Sequence, residues 1–345
     1  MNLGKTLLIA PFLLLCTVLL AACGGGSGSS SSTTSGGSVT LYNGQHEQTT
    51  GLLVKAFEHQ THIKVKIRSG DEAELGNQII QEGSNSPADV FYTENTPVLE
   101  ELQEKGLLAP VAAGTLSSVP RKDDAASGDW VGVSARVSAL VYNTSKISAS
   151  ALPSSILELA SPQWKGKVGF APSETDFQPL VTSIIKFDGK AAAEKWLKGL
   201  QANSRVYPDN ETVVAQVNNG ESTIGPINHY YWYRLRDEQG ASGTHSALHY
   251  YNPGDPGDLV NISGAAVLRS SKNQADAQKL LAFLVSNAGQ QTIAHSQSWE
   301  YPLRPGVSPA AGLAPLSSFH ATSLTPAELG NGSEALAMEQ RLGLL

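Results

Sequence analysis

Residues 39–67, VTLYNGQHEQTTGLLVKAFEHQTHIKVKI, read as a strand, a helix and a second strand in succession. Val39-Thr40-Leu41-Tyr42 has the composition of a strand, and Leu52, Leu53, Ala56 and Phe57 then recur on one helical face. Ile63-Lys64-Val65-Lys66-Ile67 alternates apolar with charged residues, the period of a strand. The rhythm continues with a helix predicted over 72–81, a strand over 88–92 and a helix over 97–104, after which Gly106 is placed to cap. Such alternation builds βαβ units and predicts an α/β fold, a mixed but mainly parallel sheet flanked by helices. Ligands of these sheets bind beyond the carboxyl ends of the strands, where His46 and Glu94 both fall.

The same rhythm returns from about Ser134. It predicts strands over 167–170, 222–227 and 260–268, and helices over 177–185, 191–200, 212–217, 273–285 and 333–341. There is no internal sequence repeat. At the N-terminus, Lys5 precedes an apolar run from Thr6 to Leu20, and Leu20-Ala21-Ala22-Cys23 resembles a bacterial lipobox. That run is shorter than the ~20 apolar residues of a membrane span and ends in small residues, so residues 1–22 read as a lipoprotein signal peptide. Cys23 is then the lipidation site. With Cys16 removed, no thiol is left for a disulfide or a thiolate metal site. Residues 23–38 form a Gly/Ser/Thr-rich tether with a span of roughly 20 Å, from about 5–6 Å times the square root of its length. The protein is therefore expected outside the cytoplasm, lipid-anchored at the outer face of the cytoplasmic membrane or in the periplasm. It would touch the membrane only through that anchor. The formal charge of −7 disfavours nucleic acid. The roughly 320 residues beyond the signal exceed what one core usually serves, so two lobes are expected.

The run Ile227-Asn228-His229-Tyr230-Tyr231-Trp232-Tyr233 carries the chemistry. A free phenol has a pKa of about 10, so ionising one at neutral pH costs about 4 kcal/mol. Only a hard, highly charged cation repays that cost for two neighbours, and ferric iron is the biological candidate. An aromatic patch in a core is the rival reading. Asn43-Gly44-Gln45-His46 and Phe91-Tyr92-Thr93-Glu94-Asn95 each follow a predicted strand and add an imidazole and a carboxylate to the two phenols.

NGQH (43–46), PADVFYTEN (87–95), WKGKVGF (164–170), INHYYWY (227–233), SGAAVL (263–268), SKNQADAQK (271–279) and EYPLR (300–304) stand in order. Together they resemble the ferric-ion-binding proteins of bacterial iron ABC transporters, over essentially the whole chain from Val39 to about Val307. The resemblance implies a two-lobed, type II periplasmic-binding-protein fold with iron in the interlobe cleft. One lobe would comprise 39–133 with 262–310, the other 134–261 with 311–345. It implies His46, Glu94, Tyr230 and Tyr231 as ligands, an ABC permease as partner, and a monomer that carries iron rather than an enzyme. It also implies a synergistic anion, for which Asn95, Asn210, Asn228 and Arg136 match the family's pocket in kind. Ser138 stands where a second arginine is common. Glu174-Thr175-Asp176 replaces the family's Ser-Gly-Ala at a helix N-terminus, which favours carbonate or citrate over phosphate. Ser173 followed by Asp176 also resembles a capping box, so a capping role is expected for Asp176, with approach to the metal as the alternative.

His59 with His62, and His245 with His249, read as solvated surface residues, since neither pair carries a metalloprotease glutamate. His229 adjoins the tyrosine pair without taking a ligand position of the family. Two other functions remain open on the residues alone. A non-haem iron enzyme would use two histidines and a carboxylate with open positions, whereas two phenolates fill the shell. A carrier of a polyamine or an organic anion would have no use for the tyrosine pair.

Overall fold

A computed structural model of the chain describes residues 37–319 and 324–345. The predicted signal peptide, Cys23 and all of the tether but Gly37 and Ser38 lie outside the described residues, and Ser38 already opens the first strand. The opening stretch folds as its pattern requires: β1 (Ser38–Gly44), α1 (Glu47–Thr61), β2 (Lys64–Ser69), α2 (Glu72–Glu82), β3 (Val90–Thr93) and α3 (Pro97–Glu104). Local chemistry sets the ends. His62 takes the left-handed conformation that stops α1, and the Asp71 carboxylate accepts from Glu74 N at 2.9 Å to cap α2. Pro97 starts α3, and Gly106 follows its end at φ 68°.

β4 (Leu108–Ala109) and α4 (Ala113–Leu116) lead to β5 (Val131–Asn143). The second half contains β6 (Val168–Phe170), α5 (Phe177–Asp188), α6 (Lys190–Asn203), β7 (Ser204–Val206), α7 (Asn210–Asn218) and β8 (Ile224–Asn228). α8 (His229–Gly243) and β9 (Ser246–His249) complete it. The chain returns through β10 (Val260–Leu268), α9 (Gln274–Leu284), α10 (Asn287–Ala294) and β11 (Tyr301–Pro302), then ends in α11 (Pro326–Leu329) and α12 (Ser333–Arg341).

The strands run in the order β2-β1-β3-β10-β5-β8-β6-β7. Parallel pairs lie on the flanks, β1 with β2 and β3, and β6 with β7 and β8. The centre is antiparallel, because β10 re-enters between β3 and β5 and β5 pairs antiparallel with both β10 and β8. The sheet is thus mixed, and the mainly parallel character expected from the βαβ rhythm is confined to its flanks. β5 joins the halves. Val131–Val137 pairs with β10, and Ser138–Tyr142 pairs with β8.

Each half has its own core. Alternation along the strands sends Leu41, Val90 and Tyr92 to one face with Leu53, Phe57 and Leu281, and Tyr42 and Phe91 to the other with Leu75, Ile79 and Trp130. In the second half Phe170, Phe177, Ile184 and Trp196 pack on one face, and Val213, Val217, Tyr230 and Tyr231 on the other. Burying each such side chain is worth about 1.5–3 kcal/mol. Near the C-terminus, Leu313, Leu316 and Phe319 pack on the first core, whereas Leu329, Ala335 and Met338 join the second. Among the described residues no helix is long and apolar enough to cross a membrane.

Candidate metal centre

The loop after β1 is clamped by its own side chains. Asn43 Oδ1 accepts from Gln45 N at 3.3 Å and Thr50 Oγ1 at 2.8 Å, and Asn43 Nδ2 donates to Gln45 O at 2.7 Å. Gly44 must lack a side chain, since a Cβ would meet Glu72 Cβ at 2.6 Å. His46 is thereby held at the N-terminus of α1, its Nδ1 2.6 Å from Glu94 Oε1 beyond the end of β3. Its Nε2 is buried and has no hydrogen-bond partner among the described residues. Burial, followed by the nearby Arg234, lowers the His46 pKa to about 4, while burial and then Asp176 raise that of Glu94 well above the usual range. The pair is therefore neutral at pH 7, and an imidazole that gives its Nδ1–H to a carboxyl keeps an Nε2 lone pair for a metal.

From the other half, β8 delivers the chain into α8, and Tyr230 and Tyr231 occupy its first turn. Asn228 stands at the N-cap without a side-chain cap, so the positive end of the helix faces the phenols and favours their ionised form. The two rings lie 4.1 Å apart, and the His46 ring meets Tyr230 edge-on at 5.1 Å. The Arg234 guanidinium covers Tyr230 at 4.7 Å from the ring centre. Burial first, and Asp176 second, raise both phenol pKa values, so both carry protons while no cation is bound.

Those protons go to Asp176. Its Oδ2 accepts from Tyr230 Oη at 3.2 Å and from Tyr231 Oη at 3.1 Å. Its Oδ1 lies 3.4 Å from Arg136 Nε and accepts from Asn95 Nδ2 at 3.3 Å. The capping expected of Asp176 is not found: it sits at the N-cap of α5 with its carboxylate turned away from the helix donors, and Ser173 Oγ donates to Pro208 O instead. An ion pair with a fully buried arginine and two phenols outweighs a local cap. Arg136 also donates to Asn95 Oδ1 at 2.7 Å, and Asn95 Nδ2 reaches Thr175 Oγ1 at 3.2 Å. Glu174 lies nearby on the cavity wall with its pKa pushed up to about 8 by burial and then Asp176.

Asn210 and Asn228 stand apart from the tyrosine hydroxyls. With Asp176 they border a void of about 10 Å³, and Asn228 Nδ2 has no partner there. His229 is fully buried and committed to the backbone: Nδ1 accepts from Val137 N at 3.1 Å, which leaves Nε2–H to donate to Trp299 O at 2.8 Å. His59, His62 and His245 are exposed and His249 is half-buried. Three residues escaped the sequence reading. Arg234 follows Tyr230 by four residues, which on a helix places it over that ring, so the signal was present. Glu72 accepts from Asn95 N at 2.9 Å and Nδ2 at 2.8 Å and no sequence pattern marks it, whereas Glu300, which accepts from Ser134 Oγ, opens the EYPLR motif but was given no role.

A cavity of about 390 Å³ opens over His46 and Glu94 and is walled by Glu72, Glu174, Glu211 and Arg234. Its acidic lining suits a cation. Among the described residues no three His, Cys, Asp or Glu side chains converge tightly enough to hold a metal on their own, so the centre depends on its phenols.

Donors from two halves of a mixed sheet meet at one cleft, the arrangement of a solute-binding protein. Residues 85–316 match the family of bacterial extracellular solute-binding proteins. The chain is 39% identical over 308 residues to the major ferric iron-binding protein of Neisseria meningitidis serogroup B, covering 89% of this chain and 93% of that one. Iron-bound HitA from Pseudomonas aeruginosa superposes with a TM-score of 0.86 at 45% identity, over 89% of this chain and 99% of that one. A Trichodesmium protein solved with iron and citrate superposes at 0.78 with 32% identity, over 89% and 99%. The chain belongs to the bacterial solute-binding proteins, among the ferric-iron-binding members of that family, and its fold is type II. The family is one of carriers, not enzymes.

Proposed function

We propose that this protein captures ferric iron through His46 Nε2, Glu94, Tyr230 and Tyr231 and delivers it to an ABC permease. The observation that carries the reading is the pair of buried phenols, donated from one helix turn, facing a buried imidazole nitrogen that has no other partner. Residues 39–133 with 262–310 form one lobe and 134–261 with 311–345 the other, with Leu313 to Phe319 packed back on the first. A metal that bridges them binds the closed arrangement better than any open one and shifts the population toward closure. The permease then reads the closed shape. Cys23 carries the lipid that keeps the monomer beside its permease.

Phosphate is not the partner anion. Asp176 already stands at the position, Glu94 joins it as a carboxylate once iron is bound, and charges about 4–6 Å apart in a partly dry cleft repel by several kcal/mol. Any exogenous anion is carbonate or a carboxylate such as citrate, arriving on the iron with its charge already offset by the metal. The acidic wall also weighs against an organic anion as cargo. Replacing Tyr230 and Tyr231 together by phenylalanine tests the assignment. Ferric phenolate gives an intense visible charge-transfer band, and the double variant is expected to fold, remain colourless and bind no iron. A coloured, iron-loaded double variant would refute it.

A further inference from the structure

We propose that Asp176 is itself a ligand of the iron, a carboxylate built into the chain at the place where relatives admit an exogenous anion. The inference rests on the ferric reading above and extends it to the completion of the coordination shell. Three observations carry it.

The first is the position of Oδ2. A small hard cation in octahedral coordination holds its oxygens at about 2.0–2.1 Å, so neighbouring ligand oxygens stand about 2.9 Å apart. Asp176 Oδ2 lies 3.2 Å from Tyr230 Oη and 3.1 Å from Tyr231 Oη, close to the edge length of such a polyhedron. Two protons now bridge these oxygens. When they leave, one trivalent ion can take their place with a small adjustment.

The second is the division of labour within the carboxylate. Oδ1 is occupied by Arg136 and by Asn95 Nδ2, which fixes the plane of the group and leaves Oδ2 for the phenols. The arginine that the resemblance assigns to an incoming anion is thereby already paired with an internal one. The carboxylate does not cap α5, so its orientation serves the cleft and not the helix.

The third is space. Asn210 and Asn228, which the resemblance also assigns to the anion, border only about 10 Å³ of void, and Asp176 forms its wall. A volume of about 10–15 Å³ by this measure admits one water. Carbonate and phosphate have four and five heavy atoms, so neither fits between Asn210 and Asn228 without displacing Asp176.

The test uses the mature domain, stripped of iron and held in carbonate-free chloride buffer, with ferrous chloride oxidised in place. Wild type is expected to develop the full charge-transfer band, and added carbonate, phosphate or citrate should leave it unmoved. Asp176→Ala should lose retention against a competing chelator by at least about 100-fold and recover much of it when carbonate is added. Asp176→Asn keeps the shape and an acceptor oxygen but leaves the buried Arg136 unpaired, so it is read by metal-free unfolding as well as by iron retention. A merely structural role lowers metal-free stability and leaves retention by the folded fraction like wild type, while a ligand role makes that fraction behave like the alanine variant. Circular dichroism verifies that both variants fold. The proposal is overturned if the wild-type band appears only after an anion is added, or shifts with it, or if Asp176→Asn retains iron as wild type does without added anion. A wild type that shows no band under any condition, anion present or absent, overturns the ferric reading itself.

Discussion

Iron uptake by this cleft must expel protons, and their number can be worked out from the empty site. Tyr230 and Tyr231 have pKa values raised by burial and by Asp176, and Glu94 is raised by burial and Asp176 as well, so three ligands enter the reaction protonated at neutral pH. His46 is lowered to about 4, so above that pH it offers its nitrogen without losing a proton. Bound iron requires the two phenolates and the carboxylate, hence three protons leave per ion. Affinity then rises about a thousandfold per pH unit, or about 4 kcal/mol at 1.36 kcal/mol per proton. The sign is fixed: lower pH favours the protonated ligands and releases the metal. The assay follows proton release with an indicator dye in weak buffer near pH 7, iron being supplied on a chelator whose own proton uptake is known and subtracted. The expected count is three, dropping to two in Tyr231→Phe and unchanged in His46→Ala. A wild-type count of one or none would mean that the cleft binds a preformed complex or does not use its phenols.

His46→Ala should weaken iron less than Tyr231→Phe, because a neutral imidazole compensates less of the ion's charge than a phenolate; competition against a chelator ranks the two, and an equal or larger loss for the histidine variant contradicts the order. His229→Ala leaves Val137 N–H and Trp299 C=O without their partner, so the metal-free domain should lose about 2–4 kcal/mol in denaturant unfolding while the folded fraction keeps its colour. Metal-free stability should fall as pH rises from about 6.5 to 8. Glu72, pushed by burial to about 8, holds a proton that the unfolded chain has already lost, and this one group contributes about 2 kcal/mol over that interval. The lowered pKa values of His46 and His229 act mostly below this window and oppose the fall by about 0.4 kcal/mol each within it. Glu174 and Glu339, also raised to about 8, act with Glu72, so equal melting temperatures at the two pH values would refute the assignment.

The flanks of the sheet were legible because each of their strands and helices announces itself locally. β1, α1, β2, α2, β3 and α3 follow their periodicities closely, and α12 spans the residues its pattern predicts. β5 was passed over, although Val131, Val133, Ala135, Val137 and Ala139 alternate with Gly132, Ser134, Arg136 and Ser138 at the period of a strand. Its thirteen-residue length is set by pairing on both sides, which the sequence does not record. The antiparallel centre was hidden for a related reason, since the place where β10 inserts is a long-range choice that no window records. α8 lacks a clean apolar stripe, so the reading of the sequence ended at the tyrosines without the helix that orients them. In the site, His46, Glu94, Tyr230 and Tyr231 came from motif order, and the structure brings them to one cleft. Asp176 was misread, because an acidic residue ahead of a helix looks the same whether it caps or turns away. The choice is made by Arg136 and the two phenols, all distant in sequence.

Between the proposed lobes Trp299 stacks on Tyr233 at 4.8 Å, gives its Nε1–H to Asp237 at 2.8 Å and accepts from His229 through its carbonyl oxygen, whereas the contacts at the site itself are few. Asn95 reaches from the first lobe to Thr175, Asp176 and Arg136, and the His46 ring meets Tyr230 edge-on. A typical bond of this kind nets about 1 kcal/mol, or somewhat more to a charged partner, after the loss of water. At the site the empty cleft is therefore held weakly and can open to admit its cargo. Converting a population from 1:99 to 99:1 takes about 5.5 kcal/mol of differential binding. Tyrosines on one lobe, opposed by His46 and Glu94 on the other, can supply it because an open cleft offers iron only one of the two sets. If Asp176 also ligates, the second lobe holds three anionic oxygens by itself, and iron enters there first. His46 and Glu94 then act as the latch, so their loss should impair closure more than the initial capture of iron.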